Sequence, residues 1–261
     1  MLRIARINNL SARPYALVPP AFPADVMPCT PTEVYSRAVR GYCDVALMPV
    51  ARLRELQDRF EPLGPYGIAA RGPAHSVAVF SKLPLEHVVA ERRPVHVTQK
   101  SQTSRELFAI LCRHSIGCEP VLTIRSEEAD ARLLIGDEAA DTAREESRWP
   151  HRCDLGQWWF DIMGLPFVFA RWVVRRDLQR DERRLVRQWL EETTVFAASP
   201  EGMRHLAEAG FPNLTGAAAA RRAKEYYTSI HARLTFYDLH GLSVFLRCQE
   251  AREQEQWVKS A

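Results

Sequence analysis

One segment of this sequence, a polar loop followed by a helix, has residue types that suit the binding of an anion. Residues 95–98 predict a strand, QKSQTS a loop, and residues 105–112 a helix. The backbone N–H groups at the start of such a helix, together with the hydroxyls of Thr103 and Ser104, suit a carboxylate or a phosphate. The alternative is that these hydroxyls only cap the helix.

Further polar residues lie at the predicted ends of strands, where α/β folds bind their ligands. Asp137 and Glu138 directly follow the apolar run LLIG, which places them at the carboxyl end of a predicted strand. Alternatively, Asp137 caps a helix that begins near Ala139. Ser76 follows a bend predicted at Gly72-Pro73, so its hydroxyl either faces a cleft between lobes or bonds the backbone.

The signatures of common catalytic and metal sites are missing from the sequence. It contains no P-loop, GxGxxG, GxSxG or HExxH motif, and its eight histidines are dispersed. The six cysteines form no CxxC pair, so we expect free thiols rather than a metal site or a disulfide framework. Cofactor-free chemistry on a small molecule, or plain binding, remains.

Charge and targeting signals narrow the class of partner. The 35 basic and 32 acidic residues leave a net charge of +3, too balanced to predict nucleic-acid binding. A small anionic ligand is still favoured. No secretory signal is visible near the first residue, so we expect a cytoplasmic protein.

An alternating order of strands and helices must position these polar groups. A strand over residues 2–7 leads into a polar loop, an amphipathic helix that begins with a capping box at Thr30 or Thr32, and a strand over residues 44–49. From about residue 84 the order of strand, polar loop and helix repeats. The pattern predicts two α/β lobes, the second inserted in the first.

The segment DLGQWWFDIMGLPFVFARW, residues 154–172, carries six aromatic rings in nineteen positions. Asp154, Asp161 and Arg171 interrupt it, and its apolar run GLPFVFA is far shorter than the ~20 residues that cross a bilayer. We therefore predict a buried core segment rather than a membrane partner.

Five segments, in this order, resemble the chorismate dehydratase family of the futalosine route to menaquinone. They are RGYCDVALMPV (40–50), GIAARGPAHSVAVFSK (67–82), SQTS (101–104), ADARLLIGDEA (129–139) and DLGQWWFDIMGLPFVFARWV (154–173). The resemblance covers most of residues 1–190, and its last two segments are the most specific.

The resemblance implies a fold, a reaction and a compartment. The fold is the two-lobed type II periplasmic-binding-protein fold, α/β with a central ligand cleft, used in the cytoplasm by an enzyme. Our own expectation for the assembly is a monomer or a homodimer. The reaction is a lyase reaction that removes water from chorismate to give 3-(1-carboxyvinyloxy)benzoate. No metal and no organic cofactor is implied. We expect residues 1–86 and 172–261 to form lobe 1 and residues 87–171 to form lobe 2.

The resemblance also assigns roles to particular residues. Ser76 takes the position of the serine that hydrogen-bonds the developing enolate. In the SQTS segment, Ser101, Thr103 and Ser104 match the loop that holds a substrate carboxylate. Gly136 and Asp137 match the strand end that lines the cleft.

Two positions depart from the family pattern. Ser11 stands where the family has a catalytic asparagine, and Gln102 stands where it has an arginine. These departures leave a non-catalytic binder of chorismate-like carboxylates as an alternative. The sister enzyme that forms dihydroxynaphthoate is another alternative, although Gly136-Asp137 and FVFA favour the dehydratase.

Overall fold

Two β-sheets, each with its own helices, make up the computed structural model of this chain. The structure describes residues 1–98, 101–127, 129–142 and 147–260, without the side chains of residues 137, 140, 141 and 256–260. Unit 1 comprises Met1–Ala69 and Val168–Thr235, and unit 2 comprises Ala70–Phe167 and the chain from Phe236 onward.

The strands of both units are numbered along the chain. They are β1 (Leu2–Ile7), β2 (Ala24–Cys29), β3 (Val45–Pro49), β4 (Phe60–Ala70), β5 (Val77–Ser81), β6 (Pro94–Val97), β7 (Val121–Thr123), β8 (Ala131–Ile135), β9 (His151–Asp154), β10 (Phe167–Arg175) and β11 (Ile230–Arg233).

The α-helices are numbered in the same way. They are α1 (Pro31–Val39), α2 (Leu85–Ala90), α3 (Gln102–Ile116), α4 (Asp137–Thr142), α5 (Leu155–Met163), α6 (Arg180–Ala198), α7 (Pro200–Gly210), α8 (Gly216–Ser229) and α9 (Phe236–Ser260). A 3₁₀ helix, Leu10–Ala16, replaces the polar loop that the sequence predicts after β1.

The sheet of unit 1 has the strand order β11-β4-β10-β3-β1-β2. Strand β1 runs parallel to β2 and β3, and β10 runs antiparallel to β3. The predicted capping box of α1 is confirmed at Thr30, whose Oγ1 accepts from Glu33 N (3.3 Å) while Glu33 Oε2 accepts from Thr30 N (2.6 Å). This β-α-β arrangement agrees with the α/β class expected for the start of the chain.

The core of unit 1 is centred on Trp172 of β10, which is fully buried. Its ring packs edge-on against Tyr15 of the 3₁₀ helix (5.3 Å between centroids) and Trp189 of α6 (5.7 Å). Aromatic pairs in this geometry add favourable energy to the burial of their apolar area. The 3₁₀ helix and α6 are therefore held on one face of the sheet.

The sheet of unit 2 has the strand order β7-β6-β8-β5-β9. Strand β6 is parallel to β7 and β8, whereas β5 is antiparallel to β8 and β9. Trp159, Phe167 and Phe245 form an aromatic cluster in this unit, with centroids 5.1 to 6.3 Å apart. The buried rings of Trp159 and Phe167 agree with the core predicted for the aromatic segment.

The boundaries between the units differ from the predicted lobes 1–86 with 172–261 and 87–171. Strand β5 belongs to unit 2 because it pairs with β8 and β9, so unit 2 begins at Ala70. Helix α9 also belongs to unit 2, where Phe245 completes the aromatic cluster and Arg252 pairs with Glu106 of α3. Chain order alone could not reveal either association.

Among the helices that the structure describes, none is both long enough and apolar enough to cross a membrane.

Candidate functional site

Ser76 closes a tight turn between β4 and β5. Its backbone N–H donates to Ala74 O at 2.6 Å, and the residue between them, His75, has a φ of +59°. An i to i+2 hydrogen bond around a residue with positive φ defines a γ-turn of the rare, strained kind. The Ser76 hydroxyl also donates to Ala74 O, at 3.3 Å, so the backbone bonding that the sequence left as an alternative is present. The bend predicted at Gly72-Pro73 therefore extends to Ser76.

Gly136 lies directly beside this turn. Its N–H donates to Ser76 O at 2.7 Å, continuing the β5–β8 ladder in which Val77 is opposite Ile135. Gly136 has a φ of +60°, and a Cβ at this position would meet nothing within 4 Å. Two of the predicted site residues, Ser76 and Gly136, are thus brought into contact.

The SQTS segment begins at the same end of the sheet of unit 2. Strand β6 is parallel to β8, and Thr98 N donates to Leu133 O at 3.4 Å. The carboxyl ends of β6 and β8 and the amino end of β5 therefore lie side by side. Each of these three strand ends leads to one of the predicted site segments.

Within SQTS, Ser101 is the N-cap of α3. Its Oγ accepts from Ser104 N (3.2 Å) and lies 2.9 Å from Ser104 Oγ. The helix begins at Gln102 rather than near residue 105, so Thr103 and Ser104 belong to its first turn. Thr103 and Ser104 are buried, with exposures of 3% and 1%. The alternative function of this segment, helix capping, is thus performed by Ser101. The hydroxyls of Ser101, Thr103 and Ser104 lie together at the N-terminus of α3.

Asp137 begins α4, which starts earlier than the sequence predicts, but its side chain lies outside the described part of the chain. Its predicted role in binding stays a prediction.

Ser11 lies in unit 1, unlike the other predicted site residues. Its hydroxyl donates to Asn9 Oδ1 at 2.9 Å, and the same oxygen accepts from Ala12 N at 3.1 Å. Asn9 is the N-cap of the 3₁₀ helix that carries Ser11. The short hydroxyl of Ser11 is therefore engaged in capping, with the amide side chain of Asn9 next to it.

Arg6 and Arg13 are cations of unit 1 that the sequence analysis did not single out. Within the described residues, the buried Nε atom of each has no hydrogen-bond partner. Burial lowers the pKa of Arg6, and the positive charge of Arg13 lowers it further. Charged groups that leave water are normally paired, so two neighbouring guanidinium groups favour an anion. A signal was present, because Arg6 interrupts the apolar pattern of β1.

Asp154 is a second residue that the sequence analysis did not assign to the site. Its Oδ1 accepts from Ala74 N (2.8 Å), Gly156 N (2.9 Å) and Gln157 N (3.2 Å), and its Oδ2 accepts from His75 N (2.8 Å). The carboxylate thus contacts the turn before Ser76 and the first turn of α5. Its position at a helix start, before Gly156, was the available signal.

All six cysteines are free, as predicted. Burial, helped by the charge of Asp154, raises the pKa of Cys153 to about 12, so this thiol is not an activated nucleophile at neutral pH. Within the described side chains, no three His, Cys, Asp or Glu residues are grouped as metal ligands.

Comparison with solved structures defines the class of fold. A protein from Archaeoglobus fulgidus is 17% identical, with a TM-score of 0.71 over 97% of this chain and 98% of that one. The periplasmic aliphatic sulphonate binding protein of Escherichia coli is 11% identical, with a TM-score of 0.62 over 98% and 93%. A Candida albicans protein described as having the generic periplasmic binding protein fold is 9% identical, with a TM-score of 0.62 over 96% and 90%. The predicted periplasmic-binding-protein fold is confirmed.

The family follows from the sequence match. Residues 2–251 match the profile of the family described as menaquinone biosynthesis, and this chain belongs to that family. The chorismate dehydratase of Thermus thermophilus is 29% identical over 172 residues. That match spans 58% of this chain and 62% of the relative, less than two thirds of its length.

Proposed function

We propose that this protein is a cytoplasmic hydro-lyase that dehydrates chorismate to 3-(1-carboxyvinyloxy)benzoate in the futalosine route to menaquinone. Its family and its similarity to a chorismate dehydratase support the proposal. The observation that carries it is the placement of Ser76, Gly136 and the SQTS hydroxyls at neighbouring strand ends of one sheet. No metal or organic cofactor enters the proposed reaction.

The chemistry follows from comparing substrate and product. The ring carbon that bears the enolpyruvyl ether loses its proton, and the electron pair is delocalised through the ring double bond into the carboxylate as an enolate. That pair then returns to expel hydroxide from the adjacent carbon, and the ring becomes aromatic. The proton and the hydroxide leave as water. The resemblance suggests the substrate's own enolpyruvyl carboxylate as the base.

Each group of unit 2 then has a distinct task. On substrate binding the Ser76 hydroxyl leaves Ala74 O and donates its hydrogen bond to the enolate oxygen, where negative charge grows during the reaction. Thr103 and Ser104 hold a substrate carboxylate at the start of α3, where the helix dipole favours an anion. Ser101 supports them by capping α3 and by its contact with Ser104. Gly136 keeps the strand end free of a side chain.

Polar and charged residues of unit 1 also have a role in the proposed reaction. Ser11 stands at the position of the family asparagine, beside Asn9. The guanidinium groups of Arg6 and Arg13, whose buried Nε atoms have no hydrogen-bond partner within the described residues, add positive charge near this 3₁₀ helix. Positive charge suits chorismate, which carries two carboxylates.

The direct test is incubation of the purified protein with chorismate, followed by mass spectrometry and ultraviolet spectroscopy. We expect loss of one water and the spectrum of a substituted benzoate. Unchanged chorismate after prolonged incubation would refute the lyase.

One observation favours a second function, a non-catalytic binder of chorismate-like carboxylates. The Ser11 hydroxyl already donates to Asn9, so unit 1 lacks a free donor at the position of the family asparagine. Tight binding of chorismate without turnover, measured by calorimetry on the same sample, would support this second function.

A further inference from the structure

The carboxylate of Asp154 joins two pieces of local structure in unit 2. Through Oδ1 it caps α5, accepting the N–H groups of Gly156 and Gln157. The same oxygen accepts from Ala74 N at 2.8 Å, and Oδ2 accepts from His75 N at 2.8 Å. Capping of α5 requires only one oxygen, so the Oδ2 bond serves the turn alone.

The turn that Asp154 holds is a strained one. His75 has a φ of +59°, a conformation that costs a residue with a Cβ free energy. Such strain persists only where the surroundings hold the backbone in place, and it clusters at functional sites. The next residue in the chain is Ser76.

The turn also lies directly on the start of α5. A Cβ on Gly156 would come within 2.7 Å of Gly72 O and 3.0 Å of Ala74 N, so only glycine permits this approach. Strand pairing brings the two segments together, because Asp154 is opposite Ala78 in the β5–β9 ladder. On the other side, Gly136 N donates to Ser76 O.

We propose that Asp154 is a positioning residue for the hydroxyl of Ser76. Its two oxygens hold the amides of Ala74 and His75, keep the γ-turn in its strained conformation and thereby orient the Ser76 side chain. This inference rests on the proposed function, in which the Ser76 hydroxyl meets the charge of the enolate. Asp154 acts through the turn and does not touch the substrate.

Two substitutions separate this role from helix capping. Asp154→Asn keeps one carbonyl oxygen for Ala74, Gly156 and Gln157 but turns an NH₂ group toward His75 N–H. Asp154→Ser keeps an N-cap hydroxyl for α5 and cannot reach both amides of the turn. Both variants keep a cap for α5 and should fold, with a moderately lowered melting temperature because bonds to the amides of the turn are lost.

Turnover is the first measurement. In Asp154→Asn we expect kcat for chorismate to fall about tenfold, and further in Asp154→Ser, because small misplacements of a reacting group cost one to two orders of magnitude. KM should stay within a factor of about three, since only an interaction of the transition state is lost. Loss confined to KM would overturn the inference.

A double-mutant cycle with Ser76→Ala tests whether Asp154 acts through Ser76. If it does, adding Asp154→Asn to Ser76→Ala should lower kcat little further, because the orienting effect has no hydroxyl left to act on. Fully multiplicative losses would overturn the inference.

A structural control is available on another helix. Ser199 caps α7 in unit 1, accepting from Gly202 N at 3.0 Å. Ser199→Ala should lower the melting temperature and leave kcat unchanged. An equal fall of kcat in Ser199→Ala and Asp154→Asn would assign the effect to general destabilisation and overturn the inference.

Amide hydrogen exchange separates this inference from the proposed function. In Asp154→Asn, the amide of His75 should exchange faster than in the wild type, whereas those of Gly156 and Gln157 should not. Unchanged exchange at His75 overturns the claim that Asp154 holds the turn, whether or not the enzyme is active. A wild-type protein that leaves chorismate intact refutes the proposed function. The exchange rate of the His75 amide still shows whether Asp154 holds the turn.

Discussion

At the scale of single residues, the hydroxyl of Ser11 donates to Asn9 Oδ1, an oxygen that also caps the 3₁₀ helix through Ala12 N. A hydroxyl has one proton to donate, so Ser11 must give up this bond to donate to a substrate. An asparagine at the same position offers two N–H donors on a longer side chain. The departure from the family pattern thus has a direct chemical cost in the proposed reaction.

Replacing Ser11 with asparagine should therefore raise kcat for chorismate, by about tenfold if the new amide donates to the reacting oxygen. The measurement is steady-state kinetics of Ser11→Asn beside the wild type. Ser229→Asn is the matched control, because Ser229 lies in unit 1 at the end of α8 and outside the candidate site. Equal kcat values for Ser11→Asn and the wild type would argue against a role for this position.

At the scale of elements, Asp44 ties together three neighbouring strands of unit 1. It precedes β3 and bonds Arg3 of β1 (Arg3 Nη2 to Asp44 Oδ1, 2.7 Å) and Arg175 of β10 (Arg175 Nη1 to the same oxygen, 3.0 Å). Burial alone would raise the pKa of Asp44, but the hydrogen bonds from Arg3 and the charges of both arginines outweigh it, and the pKa is lowered. Its charged form is the stable one in the folded state.

A lowered pKa makes stability depend on pH in a definite direction. The contribution of Asp44 is complete above the pKa of an unfolded aspartate, near 4, and is lost as the pH falls through the lower pKa of the folded state. Asp44→Asn should lower the free energy of unfolding by about 2 kcal/mol at pH 7, and the deficit should shrink as the pH falls below about 4.

Urea unfolding of the wild type and of Asp44→Asn between pH 3 and pH 7 measures this difference. The control is Asp177→Asn, which also removes a partner of Arg175 but lies on the surface, so its effect should be small. A deficit that grows on acidification would contradict the proposed ion pairing.

Local sequence patterns predicted the helices and strands more accurately than they predicted the residues at which these begin. The capping-box pattern predicted that α1 starts at Thr30 or Thr32, and the two reciprocal hydrogen bonds with Glu33 place the start at Thr30. At SQTS, each of three hydroxyl residues could act as the cap, and only the bond from Ser104 N to Ser101 Oγ decides among them. The resemblance to the family predicted the role of Ser76. The hydrogen bonds from the turn before Ser76 to Asp154 join segments about 80 positions apart, so no local pattern could predict them.

At the scale of the whole molecule, the chain passes from unit 1 to unit 2 after Ala69, returns after Phe167 and leaves again after Thr235. The composition and alternation of the sequence predicted the α/β class and two lobes. They could not predict that β5 joins β8 and β9, or that α9 joins unit 2, since both depend on contacts between segments far apart in the chain. Such pairings leave no periodic signal in either partner.

The association of α9 with unit 2 can be tested through Arg252. This partly buried guanidinium bonds Glu106 of α3 at 2.5 Å and Glu119 at 3.1 Å. Arg252→Gln leaves both carboxylates without their cation and should destabilise unit 2 by about 1 to 3 kcal/mol. Hydrogen exchange should become faster in α3 and stay unchanged in β1 and β3.

Arg247 provides the control for this substitution, because it is exposed on the same helix. In Arg247→Gln, the backbone amides should exchange at the wild-type rates in every helix and strand. Faster exchange in β1 for Arg252→Gln, without change in α3, would contradict the assignment of α9 to unit 2.

The late position of α9 in the chain also bears on how the protein is made. Every residue of unit 1 precedes Phe236, whereas unit 2 obtains Phe245 and Arg252 only when α9 is synthesised. Because domains fold as units during synthesis, unit 1 can complete its core while the ribosome is still translating α9. Unit 2 then holds an unfilled aromatic cluster, so nascent chains that stall after Thr235 should expose Trp159 and Phe167 and require chaperones.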